Sequence, residues 1–241
     1  MKSRAVRREE LTTSERDAMY ELLNEHFEGV TRAGFEADLS AKNWVVMLLD
    51  DANSPVGFST LVQYRTIFKG SPYGVIYSGD TIVAPSHWGS LVLPKIWIQT
   101  VRDICAAQGL DRVLWLLISS GYRTYRFLPV FWRHFYPRYD QPTPSAVQRL
   151  IDRLGGERFG ADYDPRTGLV AFDQPQRLRG RLATIPEGKL QDPHIAFFAR
   201  RNPGFADGDQ LVCLTELCVG NLTAAGRRLY GPTTASEEPS L

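Results

Sequence analysis

The sequence is poor in the residues that announce metal or disulfide chemistry. Its 241 residues hold three cysteines, Cys105, Cys213 and Cys218, and four histidines. The cysteines form neither an even disulfide framework nor a metal-ligand spacing, so they are expected as small core residues of a reducing compartment. No two of His26, His87, His134 and His194 have zinc spacing, and no metal is expected. Long apolar runs are also missing. The charged opening MKSRAVRR is not followed by an apolar stretch, so neither a signal peptide nor a membrane span is expected, and the chain reads as cytoplasmic and soluble. Charge of one sign is missing too. With 28 basic and 27 acidic residues, the formal net charge of +1 gives no case for a nucleic-acid partner. No internal repeat is evident, and only residues 231–241 read as disordered.

What is present is a chain that is 43% hydrophobic, long enough for one large domain or for a domain with a substantial extension. Residues 73–139 are the most informative block. YGVIYSGDTIV (73–83) is a β-branched and aromatic run, broken by APSHWGS (84–90). Over 91–109 the apolar residues Val92, Ile96, Val101, Ile104 and Cys105 fall near helical spacing, with Gly109 as the stop. VLWLLI (113–118) is a continuous apolar run, as a strand covered on both faces requires. Strand, crossover helix and strand make a βαβ-like unit, whose ligands bind beyond the carboxyl ends of the strands. An aromatic segment with helical character follows over 122–139.

Before this block come a short strand at 5–8, helices at 14–27 and 33–40, and strands at 44–50 and 56–68 joined by the turn DANSP (51–55). After it, PTP (142–144) marks a break. A helix is expected over 145–154, ended by Gly155-Gly156, then a strand at 169–172. Asp192 ahead of Pro193 reads as the N-cap of a helix to Arg201, and a strand is expected over 210–214. The expected fold class is a mixed α/β sheet flanked by helices. The domains are a core of 1–141, an extension of 142–230 packed on it and the tail 231–241. Arg200, Arg201 and Asp209 are expected at the rim of the cleft.

This order, strand, two helices, three strands, helix, strand, helix, resembles the core of the GNAT acyltransferase superfamily over about the first 140 residues. The resemblance implies an acyltransferase. Its fourth and fifth strands splay to admit a pantetheine arm, and the turn before the next helix cradles the pyrophosphate of an acyl-CoA through backbone N–H groups. In that turn the family usually carries Arg/Gln-x-x-Gly-x-Gly/Ala. Here residues 84–95 read APSHWGSLVLPK, with one glycine and no arginine. The donor residues implied are Ile82, Val83, Trp88, Gly89, Ser90 and Lys95. A donor without the nucleotide, an acyl group on the phosphopantetheine of an acyl carrier protein, needs less from such a loop.

Acyl transfer from a thioester to an amine needs a base, donors for the oxyanion and an acid for the thiolate. By resemblance to the family's Phe/Leu-Tyr-x-x-x-Gly-Phe pattern, FYPRY (135–139) places Tyr136 as the acid; the plain alternative is an aromatic packed under the sheet. Gly79 within a strand marks a bulge or a close approach. Asp80 beside it is either a base with a raised pKa or a residue that shapes the bend. His87 is the other candidate base. Arg123, Arg126, Arg133 and Arg138 are either a solvated face or a patch for a phosphate or an acidic carrier. The expected function is an N-acyltransferase that moves an acyl group from acyl-CoA or an acyl carrier protein to a small amine. The alternative is an inactive protein of the same fold that binds an acyl ligand or a protein partner.

Overall fold

The computed structural model describes residues 1–109 and 112–231. Its main sheet has nine strands in the order β1-β3-β4-β5-β6-β11-β9-β8, with β7 pairing with β11. These strands are β1 (Lys2–Arg7), β3 (Trp44–Leu49), β4 (Pro55–Phe68), β5 (Ser71–Val83), β6 (Val113–Ser119), β7 (Phe135–Tyr136), β8 (Tyr163–Asp164), β9 (Leu169–Val170) and β11 (Gln210–Glu216). A separate ribbon pairs β2 (Phe27–Glu28) with β10 (Arg177–Leu178). All pairs are antiparallel except β5 with β6. A parallel pair needs a long crossover, and helix α3 (Val92–Ala107) supplies it. The mixed sheet and the order of elements match the expectation.

Alternation along the strands sorts side chains onto two faces. On one face Val46, Leu61, Ile76, Trp115, Leu117 and Cys213 meet α3, α4 (Tyr122–Tyr125), α5 (Phe127–Phe131), α7 (Pro193–Arg201) and α8 (Ala224–Tyr230). The other face is divided. Val45, Met47, Phe58 and Ile82 meet α1 (Thr13–His26) and α2 (Arg32–Ser40), whereas Val75, Tyr77, Leu114, Leu116 and Val212 meet α6 (Ser145–Phe159). β6 is buried at all seven positions, the physical reason it reads as an unbroken apolar run. Trp97, Trp115 and Trp132 lock α3, β6 and the segment after α5 together, with ring centroids 4.4, 4.8 and 6.1 Å apart.

Four expectations change. α6 does not stop at Gly155-Gly156 but runs on to Phe159. Gly155 serves packing here, since a Cβ on it would lie 3.0 Å from the Tyr163 ring. The aromatic segment is two short helical turns, α4 and α5, followed by strand β7; Pro137 offers no N–H, and β11 captures Phe135 and Tyr136 as a ladder. Arg201 bonds the Thr167 carbonyl, and Asp209 packs against the Gly204 backbone, so neither lines the cleft described below. Cys218 is exposed, Cys105 half-buried and only Cys213 buried. The Asp192 cap is present, its carboxylate accepting from the His194 and Ile195 amides. The expected disordered tail lies outside the described residues from 232 onward.

Residues 142–231 share this sheet with residues 1–141, because β11 sits between β6 and β9. Among the described residues no helix is long and apolar enough to cross a membrane.

Candidate active site

β5 pairs with β6 only from Gly74 to Ser78. Beyond Ser78 it continues to Val83 against β4 alone, while β6 ends at Ser119. The two parallel strands therefore part at their carboxyl ends. A bulge falls where they part: Ser59 faces Thr81 and Leu61 faces Ser78, leaving Gly79 and Asp80 together opposite Thr60.

The gap opens into a cavity of about 520 Å³. Thr81, Ile82 and Val83 form one wall, residues 120–124 after β6 another, and Trp88 to Leu91 with Leu93 and Pro94 at the start of α3 a third. The cavity touches Leu93 and Phe127 from one face of the sheet and Phe27, Ile82 and Leu178 from the other, so it passes beyond the end of β6 from face to face. A small recess of about 20 Å³ continues inward between Ser59, Ser78, Thr81, Trp97 and Trp115. Its hydroxyls are ordered: Trp115 Nε1 donates to Ser78 Oγ at 2.8 Å, and Ser59 and Thr81 share a bond of 2.8 Å.

The wall formed by β5 is an open sheet edge. Ala84 N–H bonds the Val56 carbonyl across the ladder. By antiparallel alternation Thr81 and Val83 then turn their N–H and C=O groups away from β4. Trp88 Nε1 already bonds the Val83 carbonyl at 2.9 Å.

The first turn of α3 is a meagre anion cradle. Val92 N–H is taken by Ser90 Oγ, Pro94 has none, and Ser90 N–H bonds the His87 carbonyl. Gly89 sits at φ +87 with open space around it, and Lys95 is exposed and outside the cavity lining. Positive charge comes instead from side chains. Arg123 lies over the Trp88 ring at 4.1 Å and Arg181 over the same ring at 5.4 Å, with Arg126 and Lys189 on the cavity wall. Arg126 pairs with Asp192 at 3.4 Å. Leu178, Leu182 and Lys189 come from a strap of residues 177–191, which brings the C-terminal part of the chain over the cavity. Arg133 and Arg138 lie elsewhere, with Arg138 paired to Asp140.

Asp80 is half-buried on the α2 side of the bulge, against Asp38 and Lys42. Burial and then the Asp38 carboxylate push its carboxyl up to about 7, against the Lys42 ammonium, which pulls it down. The carboxyl is thus poised to exchange a proton near neutral pH. It stands one residue before Thr81, the first β5 residue on the cavity wall.

Tyr136 is not brought to Asp80. It lines a different cavity of about 480 Å³, with Phe68, Tyr73, Leu150 and Leu214, near the amino-terminal end of β5. The ladder explains the separation: Tyr136 pairs with Leu214 on β11, two strands from β5. The expectation of Tyr136 as the acid partner of a base at Asp80 is therefore corrected, and Tyr136 packs under the sheet with the aromatics around α6. His87, by contrast, is on the main cavity wall, its Nδ1 2.9 Å from Ser86 Oγ. Sequence reasoning missed Asp38 and Lys42, which carry no local signal, and the strap. The stacked guanidiniums had a partial signal in the clustering of Arg123 with Arg126 and of Arg177, Arg179 and Arg181.

Among the described residues no group of three or more His, Cys, Asp or Glu side chains is arranged to hold a metal ion. No protein-family model matches the chain, and no curated protein matches it. Solved structures do. A protein of unknown function from Enterococcus faecalis, named a probable N-acyltransferase, is 14% identical with a TM-score of 0.44, over 90% of this chain and 66% of its own. An acetyltransferase of Trypanosoma brucei is 18% identical with a TM-score of 0.40, over 59% of this chain and all of its own. A GNAT-family N-acetyltransferase from Escherichia coli, solved with CoA, is 13% identical with a TM-score of 0.36, over 48% of this chain and 62% of its own. At such low overlap these structures fix no role for any residue of this chain.

Proposed function

We propose that the protein is an N-acyltransferase that takes an acyl group from a phosphopantetheine thioester, in acyl-CoA or on an acyl carrier protein, and places it on the amine of a small acceptor. The observation that carries this reading is the parting of β5 and β6 over a passage that joins the two faces of the sheet; a carboxyl of raised pKa stands one residue before its β5 wall, outside the cavity lining. An extended arm along β5 meets the outward amides of Thr81 and Val83, as an added strand would. The phosphate end lies toward Trp88, Arg123, Arg181 and Lys189, whose guanidinium and ammonium groups suit it. The acceptor amine comes from the α2 side. Asp80 takes its proton, the nitrogen forms a bond to the thioester carbonyl carbon, and an outward amide of β5 steadies the oxyanion. The carbon–sulfur bond then breaks, His87 in its protonated form donates a proton to the thiolate, and exchange with solvent takes the proton off Asp80 and restores the one on His87.

One feature favours a second reading, a protein of the same fold that binds an acyl ligand or a partner without chemistry: the first turn of α3 has few free amides for a pyrophosphate. The test is native mass spectrometry of the purified protein with acetyl-CoA, a long-chain acyl-CoA and an acylated carrier protein, followed by thiol release in the presence of an amine mixture. Release that needs both thioester and amine supports the transferase. Tight binding without release supports the second reading in its acyl-binding form, and no binding of any thioester removes the transferase and leaves only a partner-binding protein.

A further inference from the structure

Among the described residues that line the main cavity, Arg123, Arg126 and Lys189 bring positive charge and none is aspartate or glutamate. These cations sit together on the α3 face. Arg123 and Arg126 are one turn apart at α4, and Lys189 is joined to Arg126 through Asp192, whose N–H bonds the Lys189 carbonyl and whose carboxylate pairs with Arg126 at 3.4 Å. Toward α1 and α2 the lining is apolar. Phe27 and Ile82 belong to the buried cluster there, Leu178 packs against it, and Leu182 follows on the strap. The β2–β10 ribbon builds this end. Leu178 lies directly opposite Phe27 in the ladder, so both side chains leave the same face. Arg179 ties the ladder down, its N–H bonding the His26 carbonyl and its Nε the Phe27 carbonyl at 2.9 Å. The ribbon's one carboxylate, Glu28, is outside the lining and pairs with Arg179 at 3.7 Å. Leu178 also closes on the loop after β6, since a Cβ on Gly121 would stand 3.2 Å from its Cδ1.

Resting on the proposed transferase, we infer that its acceptor is an apolar monoamine: a primary amine on one hydrocarbon group, aromatic or aliphatic, with the hydrocarbon set against Phe27, Ile82, Leu178 and Leu182. The reacting ammonium gives up its proton and needs no lasting partner. A second ammonium, as in a polyamine, stays charged, and this lining has cations to repel it and no carboxylate to receive it. The hydroxyls of an amino sugar would leave water for side chains that offer no hydrogen bond. The carboxylate of an amino acid would need the cationic end, which the donor phosphate takes. A hydrocarbon alone gains from leaving water at these four side chains.

The test has two arms, both on the full chain. In the first, leucine-methyl NMR with CoA present follows Leu178 and Leu182, assigned through Leu178→Ile and Leu182→Ile, as phenethylamine, hexylamine, phenylalanine, spermidine and glucosamine are added in turn. The two hydrocarbon amines should move both leucines at concentrations at least about tenfold below the other three. In the second, thiol release from acetyl-CoA and from an acylated carrier protein should follow the same order. Leu178→Asp supplies the missing carboxylate and should narrow the gap between spermidine and phenethylamine by about tenfold; Leu182→Asp makes the same comparison if the first variant does not fold. Any of the three polar amines binding as well as the hydrocarbon amines, leucine methyls that no amine moves, or a gap unchanged by the new carboxylate overturns the inference. Hydrocarbon amines that move the methyls but release no thiol leave the site in place and remove the transferase. Release that is fastest with a polar amine does the reverse.

Discussion

Adding a single methyl group at Gly79 probes the bulge most directly. The backbone there is not in the left-handed region, so alanine carries no conformational strain and the whole effect must come from its neighbours. The new Cβ would stand 2.7 Å from Lys42 Nζ, 3.0 Å from Lys42 Cε and 2.8 Å from Thr60 Oγ1. A lysine tip would normally swing away at little cost. Here it is enclosed and bonded to Asp38, so moving it weakens a charge-assisted bond, for which about 1.5–3 kcal/mol is typical, on top of the overpacking. Gly79→Ala should therefore lose about 2–4 kcal/mol in urea unfolding, with an unchanged m-value. The decisive measurement is the double-mutant cycle with Lys42→Ala. If the ammonium is the obstacle, trimming it should return at least about 1 kcal/mol of the loss. A cost of Gly79→Ala below about 0.5 kcal/mol, or strict additivity with Lys42→Ala, would refute the packing described for the bulge.

The pH dependence follows from Asp80. A base must be ionised to act, and its carboxyl is raised to about 7, so thiol release should climb through neutral pH to a plateau and Asp80→Asn should abolish that climb; a wild-type rate flat from pH 6 to 8 would exclude Asp80. The same raised value means the folded state holds this proton more tightly than the unfolded chain does. Its contribution to stability is full below about pH 4 and is lost as pH rises toward 7, so Asp80→Asn should gain on wild type above neutral pH in thermal melts. Arg123→Ala removes the guanidinium stacked on Trp88 and should weaken CoA binding by about tenfold in calorimetry, the scale of one cation–π or phosphate contact; equal affinity would detach the basic rim from the donor. Asn221 is buried, and its amide bonds the His134 and Glu216 carbonyls and Thr215 Oγ1 while its Oδ1 accepts from His134 N–H. Truncation to alanine leaves those groups unpaired, and denaturant unfolding should show a loss of about 2–4 kcal/mol.

The sequence by itself determined the local elements and one feature of the site. The runs of β-branched residues, the turn at 51–55 and the cap at Asp192 are short-range signals, because a hydrogen-bonded cap or an alternating face involves neighbours in the chain. Gly79 was legible as a bulge for the same reason: a glycine inside a strand pattern is a local irregularity. Only the tertiary structure decided what depends on pairing between distant segments. Phe135 and Tyr136 read as helical until β11, some 80 residues later, takes them into the sheet and carries Tyr136 away from Asp80. Gly155 reads as a helix stop until the Tyr163 ring occupies the space its side chain would need. The strap that sets Arg181 over the Trp88 ring and Lys189 on the cavity wall, and the burial of Lys42 against the bulge, depend on contacts between segments far apart in the chain. Long-range contacts of this kind are fixed by packing, which no window of neighbouring residues encodes.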